Sequence, residues 1–247
     1  AEACEMSVAC GVSLMLSPTW WIQCCADGWF SRKGRALCFD AGADGYIRAD
    51  ASAGIVVTQL KGQAPGICMI EDDDPDTCLG MIAGAMLNNS GKNARLNMPD
   101  AVSEQGVLID VLVAAALAAE DIDSVEAVAP AIPLHDAVEA SAINRAYAGR
   151  HREEPLYITS GKSASGHSLD CSGVQLFIKN IRSIYHTSIH PQLHLAELNP
   201  YVAYQISDEV HIASESLLYR MESAFFACKA RGFGGVNVAI IGWNRSW

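Results

Sequence analysis

Basic residues are scarce. The 247-residue chain has 17 lysines and arginines against 28 aspartates and glutamates, a net charge of −11. A nucleic-acid binder needs a basic face to displace counterions from phosphates, so this balance argues against one. It argues against an anionic membrane surface for the same reason. Charged residues of either sign make up only 18% of the chain, too few for a disordered protein. Long apolar runs are missing too. The most apolar stretch, Val107–Ala119, is too short to cross a bilayer and contains Asp110. No basic segment followed by an apolar one opens the chain, so no secretory signal is read. The chain starts at Ala1 rather than Met, which points to processing or to a piece of something longer.

Several catalytic and ligand motifs are absent. None of the nine cysteines forms a C-x-x-C pair, which removes the signature of zinc and thioredoxin-like sites. Their count is odd and their spacing irregular, and most lie in apolar runs. The expectation is free thiols in a reducing intracellular compartment. Cys24 and Cys25 are read as structural, on a helix that also carries Trp20, Trp21 and Trp29. No G-x-S-x-G elbow occurs, and Gly161-Lys-Ser lacks the earlier glycine of a phosphate loop. The run Glu71–Asp74 lacks the alternating ligands and closing Glu of a calcium loop. The segment 61–77 reads as an exposed acidic loop or insertion. No metal or cofactor is implied.

Half of the chain is apolar, enough for one large domain or two small ones. Short β-branched runs predict strands at Glu5–Val12, Gly54–Leu60, Met81–Asn88, Val125–Val128, Leu156–Thr159, Glu209–Ala213 and Val236–Gly242. Helices are predicted over Ser103–Ala119, Asp136–Ala148 and Ser172–His186. The last carries Val174, Phe177, Ile178, Ile181 and Ile184 at helical spacing, with Lys179 and Arg182 opposite. Strands alternating with helices imply an α/β fold with mostly buried strands.

Four separated segments carry a resemblance. Phe39-Asp-Ala-Gly-Ala-Asp-Gly-Tyr-Ile-Arg48, Gly161-Lys-Ser-Ala-Ser-Gly-His167, His190-Pro-Gln-Leu-His-Leu195 through Asn199-Pro200, and Gly232-Phe-Gly-Gly-Val-Asn237 occur in this order. Together they resemble the β-ketoacyl synthase family of fatty-acid and polyketide assembly, and Ala3–Ser13 resembles one of its strands. The resemblance implies a thiolase-like fold of layered α/β sheets, here incomplete. Residues 1–60 correspond to the end of the first ketosynthase half and 78–247 to the second half. The family's nucleophilic cysteine lies upstream of the segment matched by Ala3–Ser13, so the chain is expected to start after it.

Ketosynthase chemistry uses a thiolate to take the acyl chain, two histidines to stabilise charge as malonyl thioester loses carbon dioxide, and an oxyanion hole. The segment 128–139 matches the motif of the first histidine and keeps Pro133, Leu134, Asp136 and Glu139. Val128 stands at the histidine position and can neither donate a hydrogen bond nor carry charge. His135 replaces a glycine of the motif and is read as a surface or loop histidine, and Pro130 removes a donor N–H. The resemblance makes His167 the second catalytic histidine and Lys162 the lysine that organises the site. It makes Phe233 the gating phenylalanine of an oxyanion loop with Gly232, Gly234 and Gly235. On the residues alone, His167 is a loop histidine before a helix and the glycines are a turn between strands. Cys171 is the best substitute nucleophile in sequence, but it occupies a small-residue helix position.

Three functions compete. The first is a non-catalytic, structural or scaffold subunit of a larger assembly, with another protein chain covering the unfinished first half. The second is one piece of a split β-ketoacyl synthase, an acyltransferase working with a partner. Val128 counts against decarboxylation in it, and acyl transfer survives better. The third is an acyl-carrier-binding module. Acyl carrier protein is acidic, and its docking would rest on a patch around Arg145, Arg150, Arg152 and Lys179.

Overall fold

The computed structural model describes residues 4–59, 78–93, 98–148, 152–218 and 223–245. The acidic segment read at 61–77 lies outside them.

Among the described residues there are ten strands and six α-helices. They are β1 (Met6–Ser13), α1 (Pro18–Ala26), β2 (Ala51–Thr58), β3 (Met81–Asn89), α2 (Ala101–Ala115), β4 (Ile122–Glu126), α3 (Pro133–Tyr147) and β5 (Leu156–Thr159). There follow α4 (Lys162–Ser165), α5 (Ser172–Tyr185), β6 (Ser188–Ile189), α6 (Pro200–Ala203), β7 (Val210–His211), β8 (Leu217–Leu218), β9 (Ser223–Arg231) and β10 (Val236–Arg245). The main sheet has six strands in the order β3-β10-β9-β4-β5-β7. β9, β4, β5 and β7 run parallel, while β3 and β10 pair antiparallel.

Burial follows position in the sheet. Every residue of β4 is buried, as a strand covered on both faces requires. The expectation of mostly buried strands fails for β1, β2 and β3. Val8 is 64% exposed, Val56 64% and Leu87 72%. β3 is an edge strand, and β1 and β2 form a separate antiparallel pair.

Helices cover the main sheet on both sides. α2 and α3 pack on one face, where Val107, Leu108, Val111 and Ile143 enter the larger core. α5 packs on the other through Leu176, Phe177, Ile181 and Ile184. Its outer side meets β1 and β2, so α5 lies between two sheets. This is the layered α/β arrangement expected.

Helix ends differ from the predicted ones for local reasons. α2 starts at the Asp100 cap, whose Oδ2 accepts the Ser103 N–H at 2.9 Å. It stops early because Ala116 takes a left-handed conformation (φ 54°) and the Leu117 N–H turns back to Leu112 O. Trp29 lies beyond the end of α1, not on it.

β9 is a long central strand that the sequence reading missed. Ala227 faces the α2–α3 core, whereas Phe226 and Cys228 face α5. Lys229 is fully buried in it, and a buried lysine does not read as strand interior.

Candidate functional site

A cavity of about 980 Å³ opens between the end of β1, α1, the start of α3 and the β9–β10 turn. Val128, His135, His167, Arg48 and Phe233 all line it. Of the residues the sequence proposed for the site, His167, Gly232 and Phe233 line the cavity, Lys162 reaches the Val128 carbonyl from behind the wall, and Gly234 and Gly235 do not line it.

Val128 is 5% exposed and sits on the loop after β4. Its backbone is held from two sides. Glu139 accepts the N–H groups of Val128 and Ala129, each at 2.8 Å. Lys162 donates its Nζ–H to the Val128 carbonyl. The loop is strained: Ala129 (φ 29°) and Ala131 (φ 59°) stand at positive φ where the matched motif has glycine.

Beneath this loop lies a quartet of charges. Lys229 pairs with Glu104 and, at 3.0 Å, with Glu139; Arg231 pairs with Glu104 at 3.0 Å. Burial alone would raise the carboxyl of Glu139. The neighbouring Lys229 and Arg231 charges and the two backbone N–H groups outweigh it and hold the group at about 2. Asp136 has no cation so close. Burial pushes it up to about 7, although its Oδ2 accepts the Phe39 N–H at 2.9 Å. Burial also lowers the Lys162 ammonium.

His167 precedes the single-turn helix Leu169–Cys171. It is fixed by the backbone: its N–H donates to Ile47 O at 2.7 Å and its carbonyl accepts the Ala49 N–H at 3.1 Å. That makes it the parallel bridge partner of Arg48. Its Nδ1 accepts the Leu169 N–H at 3.2 Å, and its ring packs edge-on against Tyr46 at 4.9 Å. Burial, then the charges of Lys162, Arg48 and Arg231, hold the imidazole well below its ordinary value. It is therefore neutral at pH 7, with its proton on Nε2.

His135 corrects the sequence reading. It is not a surface or loop histidine but a half-buried one in the first turn of α3, on the cavity wall. Its Nδ1 lies 3.4 Å from a guanidinium nitrogen of Arg231. Burial and that positive charge lower it to about 4.

Phe233 stands at the β9–β10 turn, 58% exposed, with its ring 5.8 Å from Trp29. Gly234 (φ 146°) and Gly235 (φ 88°) let the turn close. Trp20, Trp21 and Trp29 supply the apolar wall. The sequence reading did not assign Arg48, Arg231 or these tryptophans to the site. Arg48 closes one of the four resembling segments, and that was its only signal.

Other sequence candidates fall away. Cys171 is fully buried, packed under Gly11 of β1, and does not line the cavity. In the basic patch considered for a carrier protein, Lys179 pairs with Glu126, and Arg152 donates to the carbonyls of Ala119, Tyr147 and Ile122. Arg150 lies outside the described residues. Among the described residues no group of His, Cys, Asp or Glu is placed to hold a metal ion, and no helix is long and apolar enough to cross a membrane.

Comparison with known proteins agrees with this geometry. Residues 1–62 match the model of the β-ketoacyl synthase N-terminal domain, and residues 79–196 that of the C-terminal domain. The chain is 31% identical, over 96% of its length, to the non-reducing polyketide synthase nvfA of Aspergillus novofumigatus. It is 30% identical, again over 96% of its length, to the non-reducing polyketide synthase trt4 of Aspergillus terreus. It spans only 10% of each of those relatives. Of solved structures, an oxazolomycin ketosynthase domain (OzmH KS7) of Streptomyces albus superposes with a TM-score of 0.87 at 25% identity, covering 99% of this chain and 42% of that one. The ketosynthase from module 6 of the bacillaene synthase of Bacillus subtilis has the same TM-score at 23% identity, covering 97% and 42%. With both family models matched in order and the thiolase-like α/β fold in place, this chain belongs to the β-ketoacyl synthase family.

Proposed function

We propose that this chain is a ketosynthase-like unit that holds an acyl thioester without decarboxylating it, and that it serves as a structural, non-catalytic part of a larger assembly. The observation that carries this reading is Val128. The loop around it is braced by Glu139 and Lys162 as a site loop would be, yet the side chain at the family's histidine position has no proton to give. The cavity and His167 nonetheless persist, which supports binding.

The β1–β2 pair supports a covering partner. Met6 is 61% exposed and Val8 64%, and among the described residues both outer edges of this pair lack a strand. The solved ketosynthases are more than twice as long as this chain, as their 42% coverage indicates. We assign the cover to a first ketosynthase half, in another chain or another segment. Acyl carrier protein is the natural donor of the thioester. The Gly232–Phe233 turn would meet the thioester carbonyl, with His167 on the cavity wall and Lys162 holding the Val128 carbonyl from behind it. The retained cavity favours one second reading, acyl transfer without decarboxylation, with the nucleophile supplied by the covering half. The odd number and irregular spacing of the nine cysteines support a reducing intracellular compartment.

The test is carbon dioxide release from a malonyl thioester by the purified full-length protein, with and without Val128→His. No release above background from the unmodified protein, and a gain on introducing histidine, is the expected pattern. Release by the unmodified protein at the rate of the histidine variant overturns the reading.

A further inference from the structure

We propose that the cavity selects an acyl thioester whose acyl chain ends in a carboxylate, held jointly by Arg48 and the Nε2–H of His167. This rests on the reading of the cavity as an acyl-thioester site.

The first observation is a juxtaposition. Arg48 and His167 are bridge partners, so their side chains leave the backbone side by side on one face. Both line the cavity. The Nδ1 of His167 is engaged by the Leu169 N–H, which leaves Nε2–H as its donor.

The second observation is a charge without a counter-charge. Among the described residues Arg48 makes no ion pair. Its Nε is buried without a partner, and its one hydrogen bond from NH2, to Ser13 Oγ, is long at 3.4 Å. The other guanidinium of the wall, Arg231, is already paired with Glu104. Asp50, two residues from Arg48, spends Oδ1 on the Met15 N–H at 2.6 Å. Asp170 is the carboxylate of the cavity wall, and it too lies outside ion-pair range of Arg48.

Nothing nearby compensates by ionising. Burial raises the Cys24 thiol despite the pull of Arg48, and it raises the Tyr46 phenol beyond its ordinary range. Besides Ser13, Ser17, His135, His167, Asp170 and Arg231, the cavity that Arg48 lines is walled by aromatic and aliphatic side chains, proline and glycine. A guanidinium in such a setting favours a planar anion that accepts two parallel hydrogen bonds, which a carboxylate does and a thioester carbonyl does not. A cavity of about 980 Å³ has room for a ligand carrying both groups, with the carboxylate at Arg48 and the apolar chain along the tryptophans.

Trp20, Trp21 and Trp29 on the wall give the readout. The full-length protein is titrated with glutaryl- and valeryl-N-acetylcysteamine thioesters, which have the same chain length but differ in the terminal carboxylate, and tryptophan fluorescence is followed. The expected result is at least tenfold tighter binding of the glutaryl thioester. That preference falls to about one in Arg48→Met and is partly kept in Arg48→Lys, with unchanged circular dichroism in both. Equal affinity for the two thioesters overturns this inference and leaves the acyl reading standing. A preference that survives in folded Arg48→Met also overturns it. Binding of neither thioester overturns both.

Discussion

Glu139 reaches from α3 to accept the backbone N–H of Val128 at 2.8 Å, and the same oxygen lies 3.0 Å from the buried ammonium of Lys229. One carboxylate therefore ties the site loop to the central strand of the sheet. Lys229 and Arg231 balance Glu104 and Glu139 in a quartet with no net charge. Glu139→Gln keeps the shape but leaves two cations facing one carboxylate, and it turns an amide N–H toward a backbone donor. Breaking a buried pair in this way costs about 3–5 kcal/mol. The urea midpoint should fall accordingly, without a change in m. The folded-state value of about 2 lies below the ordinary 4.5, so this contribution is present above about 4.5 and is lost as pH falls toward 2.

The legibility of this fold in its sequence has a physical limit at the same quartet. Helix α5 and strand β10 were readable because their apolar residues repeat at the period of a surface that meets a core. β9 was not, because Lys229 and Arg231 look like solvent-facing charge until α2 and α3 bring Glu104 and Glu139 to them. Val128 and His167 could be found from motif frames. Arg48 could not be assigned to the site, because its neighbour across the bridge, His167, lies far along the chain. His135 was misread because seven positions along a loop say nothing of direction, whereas the first turn of α3 aims it at Arg231.

Asp136 makes the opposite pH prediction. Burial raises its carboxyl from 3.8 to about 7, and Oδ1 has no partner among the described residues. The folded state then binds the proton more tightly than the unfolded state between those values. This contribution is complete below about 3.8 and shrinks by up to about 1.4 kcal/mol per pH unit as pH rises to about 7. Asp136→Asn still accepts the Phe39 N–H and cannot ionise. Its stability relative to the parent should rise steadily from pH 5 to pH 7.5 in denaturant titrations. A constant difference between the two proteins across that range refutes the assignment.

Gly11 links the β1–β2 pair to the cavity. A Cβ placed there would lie 2.8 Å from the Cys171 Cα and 3.0 Å from the Asp170 carbonyl oxygen, both backbone atoms that cannot swing aside. Gly11→Ala must therefore push β1 away from the Leu169–Cys171 turn. Overpacking of this kind costs about 1–3 kcal/mol. The turn it displaces also supplies the Leu169 N–H that fixes the tautomer of His167. The variant should accordingly lose both stability and thioester affinity, and its His167 nitrogen shifts should move in ¹⁵N NMR. A second change in the same strand separates the two effects. Val8→Ala removes an exposed side chain, 64% accessible, and should leave the His167 signal in place. If Gly11→Ala lowers the melting temperature while the imidazole signal stays fixed, β1 supports the fold alone and does not position the site.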